Sequence, residues 1–487
     1  MSILENAAEP FVQSADAGAI QQLHDAFAAQ RRAFATARNP SLAARRDRLG
    51  ALIAMMATNR ARIAEAVRAD FGAHPQGASD LIEVAGVIGR AAYVAEHLGA
   101  WMQPSPRDVD TAVYGSASAH VAYQPKGVVG NMVPWNFPFD LSVGPMVDML
   151  AAGNRVIVKP SEYAPASAAL LAEMIAATFD ADLVTVVVGG VDLARAFAAT
   201  PWDHLLYTGS PDVGRQVMAA AAANLTPVTL ELGGKCPAIL LPGAVTPANV
   251  ESVVGTKMVK NGQMCVSVDY ALVPREDVEA FVAHAGAFMD RAAPGYAKGA
   301  ECTGIISDRH LGRLEAMLDE ATARQTRIVT LEDDPAIDRT TRRMPLSLLI
   351  DPAPDTRVMR EEIFGPLLPV ISYDDVDEAI AFVNGGERPL GLYLFGDDAV
   401  LTTRVLDETH SGGVAINTCA VQSALPSMGF GGSGASGMGR HHGIEGFREF
   451  SNPRGVVVRG DRDLIDAFYA PYAKAVAVVD AALGPAR

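Results

Sequence analysis

The feature that most constrains the fold lies between residues 125 and 232, where short β-branched runs alternate with longer helical stretches. The runs are 128–133, 156–158, 184–188, 205–207 and 228–232. Segments 141–152, 163–179, 191–200 and 211–223 lie between them, rich in Ala, Leu and Met. Such alternation predicts βαβ units, hence a parallel sheet with helices on both faces. Sheets of this kind bind nucleotides beyond the carboxyl ends of their strands. A second α/β stretch starts near Pro237, with strands expected at 238–241, 270–273 and 367–371. Helices are expected there at 247–260, 276–292 and 309–323. Upstream, Leu49, Leu52, Ile53 and Met56 share one helical face, and 41–71 reads as helical. Segment 330–346, charged and carrying Pro335, reads as a surface loop. Residues 111–123 read as a two-stranded ribbon around Gly115 and Ser116.

Size and charge narrow the function. A chain of 487 residues exceeds one ordinary core, so two or three domains are expected. A net charge of −16 argues against nucleic acid and against a polybasic membrane anchor. No apolar run is long enough for a membrane span. Met1 to Asp16 lacks the basic start and apolar core of a secretory signal. The four cysteines, Cys236, Cys265, Cys302 and Cys419, form no CxxC pair, so no metal site is expected and a cytosolic setting is.

Several motifs carry chemistry. Gly432, Gly434 and Gly437 match GxGxxG, but no βαβ unit follows, so they read as a glycine-rich turn. Gly209 and Ser210 follow a predicted strand, with Gly214 near the start of the next helix. Backbone N–H groups there suit a pyrophosphate. Lys159, Ser161 and Glu162 end another strand, where Lys159 and Glu162 offer a donor and an acceptor to ribose hydroxyls. Cys265 follows a predicted helix and becomes a nucleophile only if a base and a thiolate-stabilising setting adjoin it. Glu231, inside an apolar strand and followed by Gly233 and Gly234, is the carboxylate that suits that role. Taken singly, each has a bland alternative: a core cysteine, a lysine-paired glutamate, ordinary turns.

Taken together, they resemble the aldehyde dehydrogenase superfamily over nearly the whole chain. Residues 134–138 are similar to its PWNFP motif, 159–162 to KPSE, 208–210 with Gly214 to its cofactor turn. Residues 231–235 are similar to ELGGK, 262–265 to GQxC and 361–366 to EEIFGP. Stretches 224–230, 409–414, 436–439 and 442–447 resemble the coniferyl aldehyde and class 3 members.

The resemblance implies a Rossmann-type cofactor domain (1–110 and 124–233), an α/β catalytic domain (234–421) and an active-site and linker loop (422–445). It also implies β bridging elements (111–123 and 446–487) that join a homodimer. It implies NAD, with NADP possible, held by Val133, Pro134, Trp135, Lys159, Ser161, Glu162, Gly209, Ser210, Gly214, Leu232, Gly233, Glu362 and Phe364. Cys265, Glu231 and Asn136 are implied as nucleophile, base and oxyanion donor. The expected substrate is an aromatic or phenylpropanoid aldehyde. A medium- or long-chain aliphatic aldehyde, coenzyme A acylation and a catalytically inactive binding homologue are the alternatives. Met264, Phe137 and Phe430 are candidates for an apolar substrate channel. Cys236 is a rival nucleophile, and His441 and His442 are expected at the surface or in a loop. The chain departs from the family pattern at Lys260, where Asn is usual, and at Met264, Gly429 and 417–420.

Overall fold

Five β-branched runs become the parallel part of a six-stranded sheet. Its spatial order is Gly437–Met438, Val228–Leu232, His204–Gly209, Val128–Met132, Arg155–Lys159 and Val184–Val186. The structure, a computed structural model, describes residues 15–334 and 336–484. Most of the N-terminal stretch read for targeting signals (1–14) and Pro335 lie outside the described residues, as do 485–487. The central strands Val128–Met132 and Arg155–Lys159 are buried along their whole length, as both-face coverage demands. Val129, Val156 and Val158 pack with helices Leu42–Thr58, Val87–Trp101, Asp140–Ala151 and Pro165–Thr178 on one face. Val128, Met132 and Ile157 pack with helices Ala17–Thr36, Val191–Ala199 and Pro211–Ala222 on the other. Val129 pairs with Val156 on one side and with His204 on the other, so strand order reverses beside Val128–Met132. That reversal opens a crevice at the carboxyl ends of two central strands.

A second sheet of seven strands runs Arg327–Thr330, Ser347–Ile350, Leu367–Tyr373, Tyr270–Pro274, Pro237–Leu240, Gly391–Phe395 and Gly413–Ile416. All its pairings are parallel except the first. The three expected helices are observed at Pro247–Met258, Val278–Ala292 and Asp308–Ala323.

One expectation is refined and two need correction. The stretch 41–71 is helical as expected and divides into Leu42–Thr58 and Arg60–Phe71, because Asn59 turns its side-chain amide back onto the Met55 carbonyl at 2.9 Å. The stretch 111–123 is not a ribbon. Thr111–Tyr114 is a short helix started by the Asp110 carboxylate, which accepts from the Ala112 N–H. Only Ser118–Pro125 is extended, and it pairs with Ser105–Arg107 and Ser451–Val458 in a third, antiparallel sheet. The distant strand offers a full-length ladder that a local turn cannot match. The loop 330–346 starts as the end of strand Arg327–Thr330 and finishes with Met344 and Leu346 buried in the core.

Candidate active site

The crevice widens into two connected chambers between the carboxyl ends of the first sheet and the Cys265 loop of the second. The outer chamber has a volume of about 630 Å³ and the inner about 240 Å³. Ordinary small-ligand pockets hold roughly 300–1,000 Å³; the outer chamber falls inside that range, and the inner one adds space beside it. Pro134, Trp135, Gly209 and Ser210 border both chambers. Asn136, Glu231, Leu232, Gly233, Cys265, Glu362 and Phe364 line the inner one, and Val133, Lys159, Ser161 and Glu162 the outer one. Gly214 is not on either wall. A Cβ there would lie 2.7 Å from the Leu232 side chain, so this glycine lets the helix Pro211–Ala222 close on the strand beneath it.

Cys265 follows a tight turn in which Lys260, Asn261 and Gly262 have φ of 47°, 53° and 77°. The Gln263 amide anchors that turn: Nε2 donates to the carbonyls of Lys260 and Gly304, and Oε1 accepts from the Ile306 N–H. A Cβ on Gly262 would sit 2.2 Å from the Gly365 carbonyl oxygen, which belongs to the segment carrying Glu362 and Phe364. Gly262→Ala therefore has both a forbidden φ and a backbone clash. We expect a loss of about 2–4 kcal/mol of stability, read as a fall in the thermal unfolding midpoint. An unchanged midpoint would contradict this packing.

Cys265 is half-buried on the chamber wall, and burial, followed by the Glu362 and Glu231 carboxylates, pushes the pKa of its thiol up to about 12. Glu231 is buried on its strand, and neither carboxylate oxygen has a hydrogen-bond partner. Burial holds its pKa well above the carboxylate range, with Glu449 adding to the shift and Arg440 opposing it. A buried acid with unspent hydrogen-bonding capacity facing a cavity marks a functional group more often than a structural one. Asn136 is buried, its Nδ2 donating to the Gln263 carbonyl at 3.3 Å. Glu362 lies against Gly233, accepts from the Gly234 N–H at 3.2 Å, and titrates near 8 through burial and the neighbouring Asp269.

In the outer chamber Lys159 Nζ meets Glu162 Oε2 at 3.1 Å, and Ser161 Oγ accepts from the Tyr163 N–H at 3.2 Å. Ser210 Oγ caps the helix Pro211–Ala222. Ser210 and Val213, at that terminus, line the outer chamber, and a helix N-terminus suits an anionic ligand. Thr208 Oγ1 is buried on both walls without a partner. This uncommitted hydroxyl, beside Lys159 and the helix terminus, fits a phosphorylated dinucleotide.

Sequence reasoning missed His310 and Arg313, one helical turn apart at the start of Asp308–Ala323. Arg313 donates to the carbonyls of Glu362 and Ile363, fixing that segment. Rings of His310 and Phe364 stand edge-on to Trp135 at 5.1 and 5.3 Å. Phe364 has φ of 50°, backbone strain at a ligand wall. The helix was legible in sequence; that its first turn abuts the crevice was not. Arg309 and Arg357 likewise border the outer chamber.

Other readings are corrected. His441 and His442 do lie in a loop, just before the helix Gly443–Glu449, but buried instead of at the surface, because the His442 N–H donates to Asp148 Oδ2 at 2.8 Å and draws the segment under a helix. Of the three channel candidates only Phe430 reaches the inner chamber. Phe137 is buried under the Lys260 ammonium, and Met264 packs between two core clusters. Cys236 is wholly buried: its thiol donates to the Cys265 carbonyl and accepts from the Gly391 N–H. Among the described residues no cluster of His, Cys, Asp and Glu could hold a metal ion, and no helix is long and apolar enough to cross a membrane.

A dinucleotide-type parallel sheet facing a second parallel sheet, with a thiol and an uncommitted carboxylate in the cleft between them, defines an oxidoreductase of the aldehyde-oxidising class. The chain belongs to the aldehyde dehydrogenase family, whose model matches residues 2–456. It is 40% identical over 463 residues to the coniferyl aldehyde dehydrogenase of Pseudomonas sp. strain HR199, covering 94% of this chain and 95% of that one. The substrate-bound AldH of Staphylococcus aureus superposes with a TM-score of 0.86 at 31% identity, covering 91% of this chain and 95% of the other. A Mycobacterium tuberculosis aldehyde dehydrogenase complexed with NAD+ gives 0.82 at 28% identity, covering 91% of each chain. The protein is thus an NAD(P)-dependent aldehyde dehydrogenase.

Proposed function

We propose that the protein oxidises an aromatic or phenylpropanoid aldehyde to its free carboxylic acid, with Cys265 as nucleophile, Glu231 as base and Asn136 as oxyanion donor. The observation that carries this reading is the convergence of these three side chains on one inner chamber, with both Glu231 oxygens uncommitted. Cys265 as thiolate adds to the carbonyl carbon, and the oxygen becomes an alkoxide. Asn136 has a second amide hydrogen left after its bond to Gln263, and with the Cys265 N–H it meets that alkoxide. One such donor is worth about 3 kcal/mol of barrier. NAD(P), when bound, supplies the hydride acceptor and, oxidised, a positive charge that favours the thiolate. Cys265 then carries a thioester. Glu231 takes a proton from water, the resulting hydroxide attacks the acyl carbon, the C–S bond breaks, and the proton held by Glu231 passes to the departing Cys265 sulfur as the acid leaves. A base dedicated to water favours the free acid over acyl transfer to coenzyme A.

Lys159, Ser161, Glu162 and the Ser210 helix terminus hold the adenosine and pyrophosphate side in this reading, and Glu362 and Phe364 the nicotinamide side. Val133, Pro134, Trp135, Leu232 and Gly233 complete the walls. Glu162 beside the ribose repels a 2′-phosphate, which favours NAD over NADP. The inner chamber offers Trp135, Leu141, Leu390 and Phe430 to the substrate, apolar surface that suits an aromatic ring. The coniferyl aldehyde activity named for the Pseudomonas relative supports the same class. The strand Ser451–Val458, with Val457 and Val458 exposed, supports a homodimer joined through the third sheet. The division into cofactor, catalytic and bridging domains and a cytoplasmic location belong to the same proposal.

The test is NADH or NADPH absorbance with benzaldehyde, coniferyl aldehyde and hexanal, each with both cofactors. We expect the two aromatic aldehydes to exceed hexanal in kcat/KM by about tenfold or more, the scale of a modest difference in apolar contact. NAD should outperform NADP. Preference for hexanal would favour the aliphatic alternative, and reversed cofactor preference would remove the role given to Glu162.

A further inference from the structure

The nucleophile turn carries a buried charge that the chemistry above does not use. Lys260 and Glu83 are both buried, with Nζ and Oε1 2.6 Å apart. An ion pair taken out of water this completely is sustained only by further hydrogen bonds, and replacing it with apolar groups is often neutral or better for stability. Its partners here all belong to one segment. Lys260 Nζ also donates to the main-chain carbonyl of Asn136. The second oxygen of Glu83 accepts from the N–H groups of Phe139 and Asp140 at 3.0 and 2.9 Å, at the start of helix Asp140–Ala151. One ammonium and one carboxylate thus hold both ends of residues 136–140. The Lys260 ammonium further lies 4.3 Å from the Phe137 ring centroid and 4.9 Å from that of Phe71.

The contacts close into a ring. Asn136 Nδ2 donates to the Gln263 carbonyl, and the Gln263 N–H and Nε2 donate to the Lys260 carbonyl. The Lys260 side chain returns to Asn136. Glu83 sits in the π-helical segment Ser79–Gly86, whose wide turn is a geometry found often at functional sites.

We propose that Lys260, neutralised by Glu83, is a positioning residue that fixes the Asn136 amide relative to the Cys265 sulfur. The proposal rests on the assignment of Asn136 and Cys265 above and goes beyond it by naming what sets the distance between them. An oxyanion donor acts only at the position where the charge develops, so a small shift of residues 136–140 lowers its effect steeply.

The test is single-turnover NADH formation by the full-length protein with saturating NAD+ and benzaldehyde. Wild type, Lys260→Gln, Asn136→Ala and the double variant are compared. We expect Lys260→Gln to slow the first turnover about 10- to 100-fold while NAD+ affinity stays within about twofold. In the Asn136→Ala background the same change should slow nothing further, a non-additivity that a merely structural ion pair would not produce. A wild-type rate for Lys260→Gln, or losses that multiply in the double variant, overturns the proposal. If Lys260→Gln does not fold, Glu83→Gln with Lys260→Gln removes both charges and is read by the same rule, alone and with Asn136→Ala. A full rate for Asn136→Ala would sink the oxyanion assignment itself. A slow Asn136→Ala beside a normal Lys260→Gln sinks only the role given to Lys260.

Discussion

Cys265→Ala abolishes aldehyde oxidation, with kcat falling by at least about 10⁴-fold, the scale seen when a covalent nucleophile is removed. The fold should survive, because the side chain is small and lies against an open chamber. Dinucleotide affinity, measured by calorimetry, should stay within a few-fold of wild type, since the proposed contacts at Lys159, Glu162 and the Ser210 helix terminus lie in the outer chamber. Residual turnover close to wild type would mean that another group attacks the carbonyl. Cys236 is the nearest rival, but it has no exposure and its sulfur is committed to the Cys265 carbonyl and the Gly391 N–H, whereas Cys265 lines the chamber.

Glu231→Gln separates the two halves of the reaction. The amide keeps the size of the buried side chain and cannot take a proton from water. We expect a first turnover of near-normal amplitude followed by steady-state turnover about 10²–10⁴-fold slower. The pH profile gives the sign. Only the ionised carboxylate is a base, and burial raises the pKa of Glu231, so wild-type kcat should climb with pH along a limb lying above the usual carboxylate range. That limb should vanish in the glutamine variant. A variant with no first turnover would place the need for Glu231 before hydride transfer.

The parallel sheets were legible because a strand buried on both faces must be apolar throughout, and the runs around Val129, Val156 and Leu206 were. The strands Gly391–Phe395 and Gly413–Ile416 were not read in advance. Their neighbours are long-range, and a short apolar run does not announce its partner. Cys265, Glu231 and Asn136 were visible through motif spacing, and the structure lines one chamber with them. His310 and Arg313 were invisible because their place on the wall depends on how a whole helix docks. Lys260 stood out in the sequence only as a departure from the usual Asn. Its partner Glu83 is 177 residues away, and only the fold brings the two together.

The most direct measurement is the identity of the acylated residue. Glu231→Gln, mixed with NAD+ and benzaldehyde, quenched in acid after one turnover and digested, should yield a peptide carrying one benzoyl group on the sulfur of Cys265. A benzoyl group on Cys236, or NADH released with no acylated cysteine at all, would contradict the account.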